Sequence, residues 1–118
     1  MNSEEILKMV VTEADGRRAE DIVALKVDQI SPMADYFVVM TGGSNRQVQA
    51  ISDAIVKKAH ELKLPIGSVE GKNAAQWILV DLGEVVVHIF REETRQFYNL
   101  EKLWSEAPLV NINDWIKD

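Results

Sequence analysis

Few residues in this chain have types and spacing suited to chemistry. Gly42-Gly43-Ser44 lies between an apolar run and a helical stripe. Backbone N–H groups at a helix start attract anions, and glycine lets a phosphate approach closely. Nucleotidyltransferases use such a turn, together with two carboxylates one residue apart on the next strand that hold Mg²⁺ against a triphosphate. That pair is missing. The acidic residues at i, i+2 are Glu13 and Asp15, upstream in a helical stretch, and Asp81 stands alone on the later strands. No Gly-Lys-Ser/Thr follows the turn, so it is not a Walker loop. It reads as a plain strand-to-helix connection.

The two histidines, His60 and His88, share no metal spacing with each other or with an acid. His60 sits among Lys57, Lys58, Glu61 and Lys63 and reads as a solvated helix residue. His88 lies in an apolar strand, either as a satisfied sheet histidine or as a partner contact. With no cysteine, disulfides, thiolate zinc sites and cysteine nucleophiles are excluded. Gly-x-Ser-x-Gly is absent, so no serine has a nucleophile elbow. No metal and no cofactor is expected.

The segment 77–90 is more informative. Trp77–Leu82 and Val85–Phe90 flank Gly83 and read as a hairpin. A two-residue turn puts Ile78, Val80, Val85, Val87 and Ile89 on one wholly aliphatic side. The other side carries Trp77, Leu79 and Asp81 beside Val86, His88 and Phe90. Such a mixture of large apolar groups with one carboxylate and one imidazole suits the centre of a protein interface. A covering helix carrying Tyr98 and Trp104 is the alternative. Glu92-Glu93 with Arg91 and Arg95 reads as a solvated helical turn.

The elements that position these residues follow from periodicity. Asn2 and Glu5 have capping-box spacing, and Ile6, Leu7, Val10, Val11 and Ala14 form a helical stripe ending at Asp15-Gly16. Ile22–Val27 and Asp35–Thr41 are strands, the second apolar on both faces and so expected inside the sheet. Ser44 or Asn45 caps a helix whose buried face is Val48, Ile51, Ile55, Ala59 and Leu62. Ile66–Gly71 is a short strand, and Asn99–Trp104 a short helix capped by Asn99. The order α-β-β-α-β-β-β-α predicts a single-domain α/β fold, a mixed β-sheet with flanking helices gathered mainly on one face. Asp35–Thr41, the long helix and the strand after it are expected to form a crossover.

The 118 residues suffice for one domain, with 47% apolar and 27% charged residues. No apolar run approaches a membrane span. Met1–Glu5 is polar and acidic, with neither a signal peptide nor a transit peptide behind it, so the expected address is cytoplasmic. The net charge of −6 disfavours nucleic acid as the main contact and favours a basic protein partner.

Three segments carry a resemblance. Ala34–Val39 followed by Thr41-Gly42-Gly43-Ser44-Asn45-Arg46-Gln47-Val48 resembles one signature of the ribosomal silencing factor family (RsfS, also called Iojap). Gly67–Gly71, Trp77–Gly83 and Val87–Phe90 resemble a second. Glu92–Arg95 and Tyr98–Trp104 resemble a third. The resemblance extends over nearly everything from Ile6 to Trp104, with these segments in the expected order, which places the family-like domain at 1–108 and leaves 109–118 as a C-terminal tail.

The resemblance implies a nucleotidyltransferase-like fold lacking the catalytic carboxylate pair, and no enzyme activity. It implies binding to ribosomal protein L fourteen on the large ribosomal subunit, blocking the joining of the small subunit and repressing translation under nutrient limitation. It also implies homodimers. A role in large-subunit assembly is the alternative, and Mg-dependent nucleotidyl transfer a more remote one. The partner-binding residues expected from the hairpin side and the signatures together are Trp77, Leu79, Asp81, His88, Phe90, Tyr98, Lys102 and Trp104.

Overall fold

The structure, a computed structural model, describes residues 1–117. Asn2 opens α1 (Ser3–Gly16): its side chain accepts the Glu5 N–H at 2.8 Å, and the Glu5 carboxylate accepts the Asn2 N–H at 3.0 Å. The capping box is therefore reciprocal. After α1 come β1 (Glu20–Lys26), β2 (Tyr36–Thr41), α2 (Asn45–Glu61), β3 (Ser68–Glu70), β4 (Trp77–Asp81) and β5 (Val85–Phe90). Two short helices follow, α3 (Glu92–Tyr98) and α4 (Leu100–Leu103).

The five strands form one mixed sheet in the order β1-β2-β5-β4-β3. The β2–β5 pair is parallel and the other pairs are antiparallel. The predicted crossover through α2 is present, but it lands on β3 at the far edge, and β4 and β5 fold back to fill the gap. The central strand is β5, with β2 beside it. This explains why both have almost continuous apolar sequences: each is buried on two faces.

Leu7, Val10 and Val11 of α1 and Val48, Ile51 and Ile55 of α2 pack on Val38, Met40, Ile78, Val80, Val85, Val87 and Ile89. Both long helices thus cover one face of the sheet, and the aliphatic side of the hairpin is its core side. Leu62, predicted on the buried stripe, is exposed. It caps the C-terminal end of α2, outside the last helical turn, so it no longer shares the helix's buried face.

Gly42 lets α2 start close against β2. A Cβ there would lie 2.7 Å from Val48 Cγ2 and 3.1 Å from the Val48 nitrogen. The helix backbone cannot yield, so Gly42→Ala is expected to cost about 1–3 kcal/mol. The denaturant midpoint should fall with the m-value unchanged.

Residues 109–117 pack against the body. Lys26 N–H donates to the Pro108 carbonyl and Val110 N–H to the Ala24 carbonyl, both at 2.9 Å, so the segment runs along the β1 edge. Ile112 is buried in the main core, and Trp115 and Ile116 pack against it. Asp118, the last residue of the predicted tail, lies outside the described residues.

Candidate functional site

Among the described residues, no long helix covers the second face of the sheet. There β4 and β5 pair Trp77 with Phe90, Leu79 with His88 and Asp81 with Val86. The connecting loop is the two-residue turn Gly83-Glu84, closed by the Leu82 N–H donating to the Val85 carbonyl at 2.9 Å. That even length is what sets the predicted side.

Aromatic rings run across this face in one chain of contacts. Tyr98 meets Trp77 at 4.8 Å between ring centroids, and Trp77 covers Phe90 at 4.9 Å. His88 lies 5.9 Å from Trp77 and 5.6 Å from Phe37, and Phe37 meets Trp104 edge-on at 5.1 Å. Gly71 makes the placement of Trp77 possible: its φ is +87°, and a Cβ there would run into the Trp77 carbonyl.

The predicted residues divide into three groups. Trp77, Leu79, His88 and Trp104 line one apolar groove of about 370 Å³, together with Phe37, Val86, Leu100 and the Met33-Ala34 loop. Tyr98 adjoins it through Trp77 and is half exposed. Phe90 does not reach the surface: it is fully buried beneath Trp77, and His88, nearly fully buried, lies at the floor of the groove. Asp81 is outside the groove, at the hairpin end, where its Oδ1 accepts the Gly83 N–H at 2.8 Å. Lys102 is exposed on α4 and also does not line the groove.

Four apolar residues at this face were not singled out from sequence. Met33 is 83% exposed, Phe97 81% and Leu103 73%, and Leu100 lines the groove. Leu100 and Leu103 lie inside the Tyr98–Trp104 signature, but four residues of helix are too few to show a period. Met33 gave only a position after Ser31-Pro32.

Two charged or polar side chains behave differently from expectation. Arg95 is buried, where the sequence suggested a solvated turn. Its guanidinium donates to Glu101 at 2.9 and 3.2 Å and to Thr41 Oγ1 at 2.8 Å, which ties α3, α4 and the end of β2 together. Asn99 does not cap α4 with its side chain. It takes a left-handed conformation with φ 49°, and its N–H donates to the Arg95 carbonyl at 2.8 Å. Asparagine tolerates that geometry, which lets the chain bend between α3 and α4.

Trp77 Nε1–H donates to His88 Nδ1 at 3.1 Å, so the imidazole is held neutral with its own proton on Nε2. Burial pushes the His88 pKa from 6.5 down to about 4. An unfolded chain therefore binds a proton at His88 that the folded one refuses. Stability at this residue is complete above pH 6.5 and is lost as pH falls towards 4, by up to ~1.4 kcal/mol per pH unit. Relative to His88→Gln, whose amide oxygen can still accept from Trp77, the wild type should lose more stability between pH 7 and pH 5 in urea melts.

The Gly42-Gly43-Ser44 turn is internally satisfied. Ser44 Oγ accepts the Gln47 N–H at 3.0 Å, and Gln47 Oε1 accepts the Gly43 N–H at 2.6 Å. Gln47 Nε2 donates in turn to the Arg17 and Arg18 carbonyls at 3.1 and 2.9 Å. The amide that an anion would seek is already bonded, and the side chain that holds it is itself anchored to the end of α1.

A family model described as "Ribosomal silencing factor during starvation" matches residues 1–118. The chain belongs to the ribosomal silencing factor family. It is 48% identical over 113 residues to the ribosomal silencing factor RsfS of Bacillus subtilis, covering 96% of each chain. A mouse relative named "Mitochondrial assembly of ribosomal large subunit protein 1" is 37% identical over 102 residues, which span 84% of this chain and 45% of that protein. A crystal structure from Bacillus halodurans superposes with a TM-score of 0.83 at 44% identity, covering 92% of this chain and 98% of that one. Silencing-factor membership places the chain among ribosome-associated regulators of translation.

Proposed function

We propose that this protein docks through its aromatic face on a basic protein of the large ribosomal subunit, L fourteen as the family resemblance implies, and keeps the small subunit from joining. The observation that carries the reading is the aromatic strip Tyr98–Trp77–His88–Phe37–Trp104, partly exposed at Tyr98, Trp77, Phe37 and Trp104 and floored by the buried His88, with its apolar groove. Monomers seldom leave contiguous apolar surface of this kind without a partner for it. Trp77 and Trp104 are the anchors, Leu79 and Tyr98 extend the contact, and His88 and Phe90 support it from below. Asp81 and Lys102, outside the groove, contribute to a polar rim.

The action needs only occupancy. A standard interface covers about 800 Å² per partner, a small part of the 7065 Å² accessible surface. The rest of a body about 30 Å across then stands in the way of the incoming subunit. The net charge of −6 steers encounter towards a basic protein and away from ribosomal RNA.

The test is sedimentation of mature large and small subunits with and without the protein. Silencing predicts co-sedimentation with the large subunit and fewer joined particles. Unchanged joining at saturating protein refutes the proposal. The name of the mouse relative favours a second reading, action during large-subunit assembly. That reading predicts immature large-subunit precursors when the protein is depleted, and no effect on mature particles.

A further inference from the structure

The chain has no cysteine and four methionines, so thioethers are its sole sulfur centres. Two are sheltered: Met40 is fully buried in the sheet and Met9 is buried in α1. Met1 is at the chain start and does not line the groove. Met33 is the most exposed of the four and lines the same apolar groove as Leu103 and Trp104. Its loop is pinned on both sides. The Ser31 N–H donates to the Val27 carbonyl at 2.7 Å, and the Asp35 N–H to the Glu84 carbonyl at 2.8 Å. The side chain is therefore presented to solvent from a fixed base.

We propose that Met33 is an oxidation site through which a hydroperoxide releases the protein from its partner. One oxygen passes from the hydroperoxide to Sδ: the O–O bond breaks, the S=O bond forms, and the sulfur gives up two electrons. The other oxygen leaves as water, or as an alcohol from an organic hydroperoxide. A methionine sulfoxide reductase reverses the step with two thiols, giving a disulfide and water. The thioether is a flexible apolar filler, whereas the sulfoxide is polar and chiral. In the groove it would stand among mainly apolar side chains, Leu103, Trp104 and Phe37 among them, and a seated partner would strip away the water that solvates its oxygen. The site of oxidation stands on exposure alone; its consequence rests on the docking face proposed above.

The probe is hydrogen peroxide on the full chain, read by site-resolved mass spectrometry and by co-sedimentation with purified large subunits. Met33 should oxidise at least roughly tenfold faster than Met9 and Met40. Co-sedimentation of the oxidised protein should weaken roughly tenfold and return after treatment with the reductase and dithiothreitol. Met9→Leu should keep the peroxide response, and Met33→Leu, which retains Met1, should lose it, judged for each variant as treated against untreated. Oxidation of Met33 no faster than of Met40 overturns the site. Full binding by protein whose Met33 is entirely sulfoxide overturns the regulation. Failure of untreated protein to bind overturns the docking face itself and the regulation with it, and leaves the mass spectrum to decide the oxidation order.

Discussion

Trp77→Ala is expected to reduce large-subunit co-sedimentation by a factor on the order of 30 or more, the loss of about 2–3 kcal/mol that a central tryptophan anchor carries. Trp77 is the residue through which most of the aromatic face is connected. It touches Tyr98, Phe90 and His88, bonds His88 through its indole N–H, and lines the groove. Truncation opens the floor over Phe90 and leaves His88 Nδ1 without its donor. Some stability must go with it, so the measurement needs a companion. Trp77→Phe keeps a ring against Tyr98 and Phe90 and removes only the indole bond and part of the area. It should melt within a few degrees of wild type and still bind several-fold less well. A folded Trp77→Ala protein with undiminished binding would place the partner elsewhere.

The same hairpin shows why part of the site could be read from sequence. A two-residue turn fixes the parity of the strands, and parity fixes which side chains share a face. Ile78, Val80, Val85, Val87 and Ile89 thus had to be core once Trp77, Leu79 and His88 were opposite. The helix stripes of α1 and α2 are local in the same way: their caps and apolar steps lie within a few residues of one another. Depth on the outer face was not local. Phe90 and Trp77 sit on the same side of the sheet, yet Phe90 is sealed by the Trp77 ring above it, and no spacing rule distinguishes the covered aromatic from the covering one. Strand order was also hidden. The parallel pairing of β2 with β5 joins segments separated by α2, β3 and β4, and periodicity carries no information about such distant partners.

Arg95 is the clearest case of a residue misread for that reason. Beside Glu92 and Glu93 it looks like one charge in a solvated turn, while its Thr41 partner lies 54 positions earlier in the chain. Burying a guanidinium is tolerated only when its donors are satisfied, and here Glu101 takes two and Thr41 a third. The three groups sit at the junction of β2, α3 and α4. Leu100, Leu103 and Trp104, the outer wall of the groove, follow directly after the Asn99 bend. The ion pair therefore sets where that wall stands.

Arg95→Met should consequently cost stability and binding together. Breaking a buried pair costs about 3–5 kcal/mol when the remaining charge is sealed in. The Glu101 side chain is 34% exposed and can rehydrate, which brings the expectation to about 2–3 kcal/mol, a fall in Tm on the order of 10 °C. Arg95→Met combined with Glu101→Leu removes both charges and should recover much of that stability, because neither charge is left unpaired. It should not recover binding to the same degree, since an apolar contact lacks the directional hold of a guanidinium fork on α4. Hydrogen exchange at residues 100–104 reads the wall directly, and faster exchange in the thermally recovered double variant is the expected signature. If that variant regains stability, slow exchange and large-subunit binding alike, apolar packing alone holds the wall, and Arg95 is a stabilising residue with no part in positioning the docking face.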